Sequence, residues 1–179
     1  MAKKGDIIEN LVTGEKIVFL ETSKDTGGKY VRYEYYAKPN SPISPEHFHP
    51  KAEESFEVIR GTVSFKIDGK ERVSGPGDSE VIKAGVRHTG WNSGSEEIFI
   101  KSEIHPAMNF EDYYSTCFYL AKCGKTNKKG MPNIFQLAVL GYDMKNQTFL
   151  PGFIWAQKLF FNVVGPIAKL FGYKSTYKK

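Results

Sequence analysis

Short β-prone runs separated by turn signals occupy the first 105 residues, and this pattern constrains the fold more than any other feature. The run at residues 30–36 is aromatic and β-branched, as strands commonly are. Runs at 56–59 and 62–67 follow, and Asp68-Gly69 has the composition of a tight hairpin turn. A further strand is predicted at 97–104. Many short strands with regular turns predict a β-sandwich or a β-barrel.

From Asn109 onward the hydrophobic pattern changes to a helical period. Asn109 is a favourable N-cap, and acidic residues follow in the first turn, where they complement the helix dipole. Apolar residues then recur at steps of three and four until Gly124, which ends this helix. A second apolar helix is predicted at about residues 133–140. A third is predicted to begin near Pro151, a residue type that suits the first helical turn.

Three of the four histidines form one constellation with a carboxylate. His47 and His49 are two positions apart, so on a strand both imidazoles point to the same face. A glutamate a few residues further on and His88 from another strand would complete a site for one divalent metal ion. The ligands would be three neutral imidazoles and one carboxylate.

The spacing of these residues resembles the two motifs of the cupin superfamily. The chain fits the first motif, Gly-x5-His-x-His-x3–4-Glu-x6-Gly, with His47, His49, Glu54 and Gly61. It fits the second, Gly-x5-Pro-x-Gly-x2-His-x3-Asn, with Gly77, Gly85, His88 and Asn92. Ser41 replaces the opening glycine and Lys83 replaces the proline, so the chain departs from the motifs at positions that shape turns.

This resemblance implies a mainly β fold, the cupin barrel (a double-stranded β-helix, or jelly roll), over residues 1–108. Residues 109–179 would form a C-terminal helical extension packed on the barrel or on a partner subunit, with the whole chain as one structural domain. The chain also resembles a small bacterial subgroup of cupin-2 conserved-barrel proteins. Their apolar tails end in a Gly-Tyr-Lys-x-x-Tyr element, here residues 172–177.

The metal ligands implied by the resemblance are His47, His49, Glu54 and His88. Glu53 competes with Glu54, because the first motif tolerates either gap, although the distance to Gly61 favours Glu54. Glu57 points to the opposite face of the strand and is a poor ligand candidate. Mixed imidazole and carboxylate ligation suits iron, manganese, nickel, cobalt, copper or zinc, and the sequence does not choose among them.

A divalent ion in such a site carries a net charge of about +1 and attracts an enolate, a catecholate or a carboxylate. Oxygenases and isomerases among cupins use this kind of site, so the resemblance implies a metal-dependent dioxygenase acting on a small organic substrate. A small-molecule-binding or sensor protein without turnover and a membrane-associated structural protein are the alternatives. The sequence assigns no catalytic residue, although Glu53, Glu57 and tyrosines near the barrel mouth are candidates for a general base.

The net charge is divided unevenly along the chain. Residues 1–120 hold 15 basic and 19 acidic side chains, whereas residues 121–179 hold 10 lysines and one acid. A solvated basic surface is the simplest interpretation. The functional interpretation is contact with an anionic membrane surface, because basic residues interleaved with apolar ones are typical of membrane-surface segments. Nucleic acid is disfavoured, since no recognised binding motif accompanies the charge.

The stretch 149–171 is strongly apolar and about long enough to span a bilayer. Lys158 falls in its middle, and Pro151 and Pro166 would break a spanning helix. We therefore predict that the tail is a packing element that helps to form a homodimer. Peripheral membrane contact, aided by the lysines at 169, 174, 178 and 179, is the alternative.

The cysteines and the amino terminus bear on the compartment. Cys117 and Cys123 are six residues apart on one predicted helix, about 9 Å along its axis, which is too far for a disulfide bond between them. Cys117 lies in the apolar stripe and is expected to be a buried, inert thiol. No signal peptide is visible, so a cytoplasmic location is the default expectation.

Overall fold

The computed structural model describes residues 2–144 and 147–177. In this part of the chain ten strands precede three helices. The strands are β1 (Ile7–Glu9), β2 (Lys16–Glu21), β3 (Val31–Ala37), β4 (Pro42–His47), β5 (Glu53–Arg60), β6 (Val63–Ile67), β7 (Lys70–Ser74), β8 (Ser79–Ile82), β9 (His88–Asn92) and β10 (Ile98–His105). The helices are α1 (Phe110–Lys122), α2 (Ile134–Asp143) and α3 (Ile154–Leu170).

Two antiparallel sheets build the β part of the molecule. The larger sheet has the strand order β1-β2-β3-β10-β5-β8, and the smaller has the order β4-β9-β6-β7. Burial alternates along β3, β5, β9 and β10, as expected when one face of a sheet is covered. In β10, for example, Ile98, Ile100, Ser102 and Ile104 are buried and the residues between them are more exposed. The predicted mainly β barrel fold is therefore confirmed.

Two turns show why the sequence needs residues that tolerate a left-handed backbone. Asp68 and Gly69 have φ values of 50° and 77°, as a type I′ hairpin between β6 and β7 requires. The predicted hairpin is confirmed. Gly61, between β5 and β6, has a φ of 83°, and a Cβ atom there would lie 2.9 Å from Cγ2 of Ile98. Only glycine meets both conditions without strain.

The first two helices begin where the sequence predicts, but the asparagine before each helix makes a different contact. Asn109 precedes α1 without capping it, because its side-chain amide donates to the carbonyl oxygen of Asp143 at 3.2 Å instead. Glu111 is buried in the first turn of α1, where it accepts a hydrogen bond from the backbone N–H of Ser23 at 2.9 Å. Asn133 does cap α2, since its side chain accepts from the N–H of Gln136 at 3.0 Å.

The third helix differs from the prediction at both prolines. It begins at Ile154 rather than near Pro151, which lies in a bend before the helix. Pro166 lies inside α3 and does not end it. Packing against α2 supports the helix there, because the neighbouring Gly165 is buried against Tyr142 and the carbonyl of Ala138. Among the described residues, no helix has both the length and the apolar character needed to cross a membrane.

The Gly-Tyr-Lys-x-x-Tyr element folds back onto the first two helices. The side-chain amide of Gln136 in α2 donates to the carbonyl oxygen of Lys174 at 2.6 Å, and the hydroxyl of Tyr177 donates to the Gln136 side-chain oxygen at 2.9 Å. The hydroxyl of Thr116 in α1 donates to the carbonyl oxygen of Ser175 at 2.6 Å. The element therefore ties the end of the chain to α1 and α2.

Both cysteines are free thiols, as predicted. Cys117 is buried and Cys123 is exposed. Burial raises the pKa of the Cys117 thiol to about 12, so it is protonated at neutral pH. A protonated, buried thiol is a poor nucleophile, in agreement with the inert role expected for Cys117.

Candidate metal centre

Both sheets contribute to a cluster of three histidines and one glutamate. His47 ends β4 and His88 begins β9, where the two residues are cross-strand partners. Glu54 faces inward from β5, and His49 follows β4 by two residues. One ligand atom from each of the four side chains lies within 4.8 Å of the others. The structure thus brings together all four residues that the sequence singled out.

The imidazoles converge through the same ring nitrogen. Nε2 of His47 lies 3.2 Å from Nε2 of His49. The carboxylate of Glu54 approaches Nε2 of His88 at 3.0 Å and Nε2 of His49 at 3.4 Å. His49, Glu54 and His88 are buried and His47 is half-buried. The four groups therefore point at one position from the wall of the barrel.

The other ring nitrogen of each histidine is held by a backbone carbonyl. Nδ1 of His47 lies 2.8 Å from the carbonyl oxygen of Pro45, and Nδ1 of His88 lies 3.0 Å from that of Val86. Nδ1 of His49 lies 3.2 Å from the carbonyl oxygen of Gln147. A carbonyl oxygen only accepts, so each Nδ1 carries the proton. In the neutral imidazole Nε2 then presents a lone pair, as a metal ligand requires.

This donor set fits a divalent ion. Three Nε2 lone pairs and a carboxylate face one another at short range, and a shared cation would stabilise such a set. Imidazole and carboxylate ligands together suit first-row transition metals and zinc. The carbonyl partners fix the orientation of the rings, which is the usual role of groups that surround a metal ligand.

The pKa values of the cluster describe an ionised carboxylate among the imidazoles. Burial lowers the pKa of His47 to about 4, so this imidazole is neutral at neutral pH. Burial acts to raise the pKa of Glu54, but the imidazoles of His49 and His88 outweigh burial and hold it well below its ordinary range. Burial acts to lower the pKa of His88, yet its contact with Glu54 raises it. The ionised carboxylate therefore favours positive charge beside it.

The competition between neighbouring glutamates is resolved by the pleat of β5. Glu54 points into the barrel, whereas Glu53 points away and its carboxylate pairs with Nζ of Lys83 at 2.6 Å. Lys83 is the residue that replaces the motif proline. Glu57 is exposed. Glu53 and Glu57 therefore lie on the outer face of β5, away from the cluster for which they were candidate general bases.

The connection between α2 and α3 reaches the cluster, which the sequence analysis did not foresee. Phe48, between the two histidine ligands, forms an isolated β-bridge with Phe149: the N–H of each donates to the carbonyl of the other, at 3.0 and 3.1 Å. The hydroxyl of Thr148 lies 3.0 Å from Nδ1 of His49. These residues are about a hundred positions apart in the chain, and no local sequence signal marks such a pairing.

Replacing Thr148 tests whether this connection supports the site. We expect Thr148→Val to weaken metal binding by about 10-fold, because groups that orient a metal ligand typically contribute 10- to 100-fold to affinity. Calorimetric titration of the metal-free protein with zinc measures the change in affinity. Thr148→Ser keeps the hydroxyl and should bind zinc like the unmodified protein. Equal affinity for the valine variant would show that the Thr148 hydroxyl does not orient His49.

A small cavity lies inside the barrel beside the cluster. Its volume is about 30 Å³, and His47, Glu54 and His88 form part of its wall. The remaining lining is mostly aromatic or apolar and includes Tyr33, Tyr35, Ile43, Phe56, Phe65, Ile100 and Tyr114. A cavity of this size holds roughly two water-sized groups. It is too small to enclose a sugar or an aromatic ring.

Several hydroxyl-bearing residues line this cavity, among them Tyr33, Ser102 and Tyr114. Burial, followed by the charge of Glu54, raises the pKa of Tyr33 well above its ordinary value, and burial is also the main cause of the raised pKa of Tyr114. Both phenols are therefore neutral hydrogen-bond donors. The buried Oγ of Ser102 has no hydrogen bond of standard geometry to a described residue, although it is close enough to Tyr33 to affect its pKa. The cavity wall thus offers polar contacts to a ligand.

Comparison with known proteins identifies the barrel. Residues 34–100, which run from β3 into β10 and include all four clustered side chains, match the family model for the Cupin_2 domain, described as a cupin domain. This part of the chain is a cupin domain. The family relationship predicted from the two motifs is confirmed.

Crystal structures with the cupin fold resemble this chain at low sequence identity. A predicted oxalate decarboxylase from Thermotoga maritima is 18% identical with a TM-score of 0.52, over 59% of this chain and 99% of that one. The Cupin_2 domain of an XRE family transcriptional regulator from Enterobacter cloacae is 25% identical with a TM-score of 0.45, over 51% and 95% of the two chains. A sugar phosphate isomerase from Silicibacter pomeroyi is 18% identical with a TM-score of 0.47, over 52% and 60%.

The extent of these matches limits what they show. The chain spans 62% and 60% of the two sugar phosphate isomerases with which it aligns. A search of curated proteins found no match. At identities this low the likeness to solved structures shows the fold alone.

Proposed function

We propose that this cupin binds one divalent metal ion through His47, His49, Glu54 and His88 and acts as a metal-dependent dioxygenase on a small organic substrate. One observation carries the proposal. Three Nε2 atoms and a carboxylate converge while every Nδ1 is held by a carbonyl oxygen. Such an arrangement suits metal ligation.

Four protein ligands would leave two positions of a six-coordinate ion for other molecules. The bound ion would supply Lewis acidity at a site of net charge about +1. An ionised enol or catechol, or a carboxylate, would be attracted by this charge. In a dioxygenase reaction both atoms of O₂ enter the organic substrate, which supplies all the electrons, so no separate reductant is needed.

The cavity beside the cluster would bind and shield the reacting groups. Neutral Tyr33 and Tyr114 can each donate a hydrogen bond to an oxygen atom there. Phe56 and Phe65 pack against each other with their ring centroids 5.3 Å apart and make the wall apolar. An apolar wall with a few polar groups is typical of a small-molecule site. With a volume of about 30 Å³, the cavity suits a diatomic molecule or a small substituent.

The same small volume favours a second candidate, a cupin that holds a metal ion and binds a small ligand without turnover. A larger organic substrate would have to remain mostly outside the cavity, at the half-exposed edge formed by His47. A sensor or binding protein needs only the metal and a few contacts. The two candidates share the metal site and differ in whether oxygen is consumed.

Oxygen uptake distinguishes the candidates. Protein loaded separately with iron, manganese, nickel or copper would be supplied with catechols and β-diketones in an oxygen electrode. We expect at least one combination to consume oxygen and the Glu54→Gln variant to consume none above background. The outward-facing Glu53→Gln variant is the matched control and should keep the activity. Ligand binding with full metal occupancy but no oxygen uptake for any combination would favour the second candidate.

A further inference from the structure

One face of α3 is covered by no other described part of the chain. Trp155, Leu159, Val163 and Ile167 recur at four-residue steps, so they form one stripe along the helix. Their exposed fractions are 67%, 57%, 50% and 49%. On the opposite side of the helix, Gly165 and Ala168 are buried. We call these four residues the α3 stripe.

Further exposed apolar residues extend the stripe at both ends. Phe153 lies before the helix, and Leu170 and Phe171 lie at its end, all three more than 75% exposed. Ile134 and Phe135 at the start of α2 are also exposed, and the ring of Phe135 lies 6.1 Å from that of Tyr173. Ile134 and Phe135 therefore lie near the end of α3 that carries Phe171. An apolar surface of this length is larger than scattered single residues and indicates a binding surface.

The charged residues of α3 and of the described residues after it are all lysines. α3 contains no acidic residue, and Lys158 is exposed beside the α3 stripe. Lys174 is exposed just beyond Phe171. In the described part of residues 121–179 there are seven lysines and one acid, Asp143, and the carboxylate of Asp143 pairs with Lys169 at 2.5 Å. The lysines at 145, 178 and 179 lie outside the described residues.

We propose that the α3 stripe binds the surface of an anionic phospholipid bilayer, with α3 lying in the plane of the membrane. Exposed Trp, Phe and Leu side chains would enter the boundary between headgroups and acyl chains, and the lysines would contact anionic headgroups. The helix is not one that could cross the membrane, but an in-plane helix needs only one apolar face. This inference does not depend on the metal or on its chemistry.

Charge favours a lipid surface over a second copy of the chain. A symmetric dimer through α3 would bring two lysine-rich, acid-poor tails together, and lysine is depleted in protein–protein interfaces. An anionic bilayer has the complementary charge over its whole surface. The homodimer predicted from the sequence is therefore the competing outcome in the test of this surface.

The test is sedimentation of the full-length protein with two kinds of vesicle. One kind contains phosphatidylcholine alone, and the other contains equal amounts of phosphatidylcholine and phosphatidylglycerol. We expect the protein to sediment with the anionic vesicles, more weakly with the neutral ones, and less at high salt because salt screens the lysines. In a Trp91→Phe background, the fluorescence of Trp155 should shift to shorter wavelength, and more with anionic than with neutral vesicles.

Surface variants locate the contact. Leu159→Glu should abolish sedimentation with anionic vesicles, and Lys158→Gln should weaken binding about fivefold, the effect of removing one lysine near an anionic surface. Val73→Glu is the matched control, because Val73 is 69% exposed on β7, outside the helical tail, and it should bind like the unmodified protein. Leu159 is itself exposed, so its replacement should leave the circular dichroism spectrum unchanged.

Three results would overturn the proposal. One is a full-length protein that stays in the supernatant with anionic vesicles. Another is equal binding to neutral vesicles, which would remove the role of charge. The third is an unmodified protein that binds no vesicles and is a dimer in sedimentation velocity, while Leu159→Glu is a monomer. That result would assign the α3 stripe to a second copy of the chain.

Discussion

Purified His47→Ala/His49→Ala protein should lose nearly all its metal. The double substitution removes two of four ligands, and the loss of affinity should exceed the roughly 100-fold effect that removal of a supporting group can have. Elemental analysis of protein purified in parallel with the unmodified chain measures the metal per chain. Because both residues lie at the barrel wall and end or follow β4, the variant should keep a β-rich circular dichroism spectrum.

Two neighbouring glutamates provide the control for this experiment. Glu54→Gln should also lose metal, whereas Glu53→Gln should retain it, since the Glu53 carboxylate pairs with Lys83 on the outer face. The two substitutions make the same chemical change one position apart, so a general effect of lost negative charge would appear in both. Undiminished metal in the histidine double variant would refute the ligand assignment.

The stability of the protein should be sensitive to a single methyl group added where α2 contacts α3. A Cβ atom at Gly165 would lie 2.7 Å from Cβ of Tyr142 and 2.9 Å from the carbonyl oxygen of Ala138. In a solvent-exposed helix interior, Gly→Ala raises the free energy of unfolding by about 1 kcal/mol. Here we expect Gly165→Ala to lower the free energy of unfolding by about 1–3 kcal/mol, because the helices must move apart.

Thermal unfolding measures this effect, because each kcal/mol lost should lower the Tm of a chain of this size by roughly 2–4 °C. Gly75→Ala is a suitable control, since a Cβ atom there would meet no atom within 4 Å. Zinc affinity should fall in the Gly165 variant as well, because the segment joining α2 to α3 carries Gln147 and Thr148 to His49. A higher Tm for Gly165→Ala would show that α2 and α3 are less closely packed than described.

The barrel and the cluster of three histidines and Glu54 could be predicted from the sequence, because strand periodicity and motif spacing mark both. His47 ends β4, and the ring of His49, two residues later, meets it at 3.2 Å, as the two-residue spacing predicts. Glu54 and Glu57 are divided between the two faces of β5. The motif spacing then placed His88 on a second strand, where it pairs with His47. Local geometry and motif spacing were sufficient for this part of the site.

Other contacts could not be predicted, because they join distant parts of the chain. Nothing near Thr148 marks it as a partner of His49, and Tyr114 reaches the cavity only because α1 returns to the barrel, where Phe110 stacks on Tyr33 with ring centroids 4.4 Å apart. Pro166 was expected on local grounds to break a membrane-spanning helix, yet it lies inside α3, which packs against α2. In each case tertiary contacts override or add to the local signal.

The most direct test of the central claim is an anomalous X-ray diffraction experiment on crystals of the unmodified protein grown with manganese or zinc. The account predicts one strong anomalous peak per chain, bonded to Nε2 of His47, His49 and His88 at about 2.0–2.2 Å and to the carboxylate of Glu54. A well-ordered site with no peak between these four side chains, or a peak bound elsewhere, would contradict it.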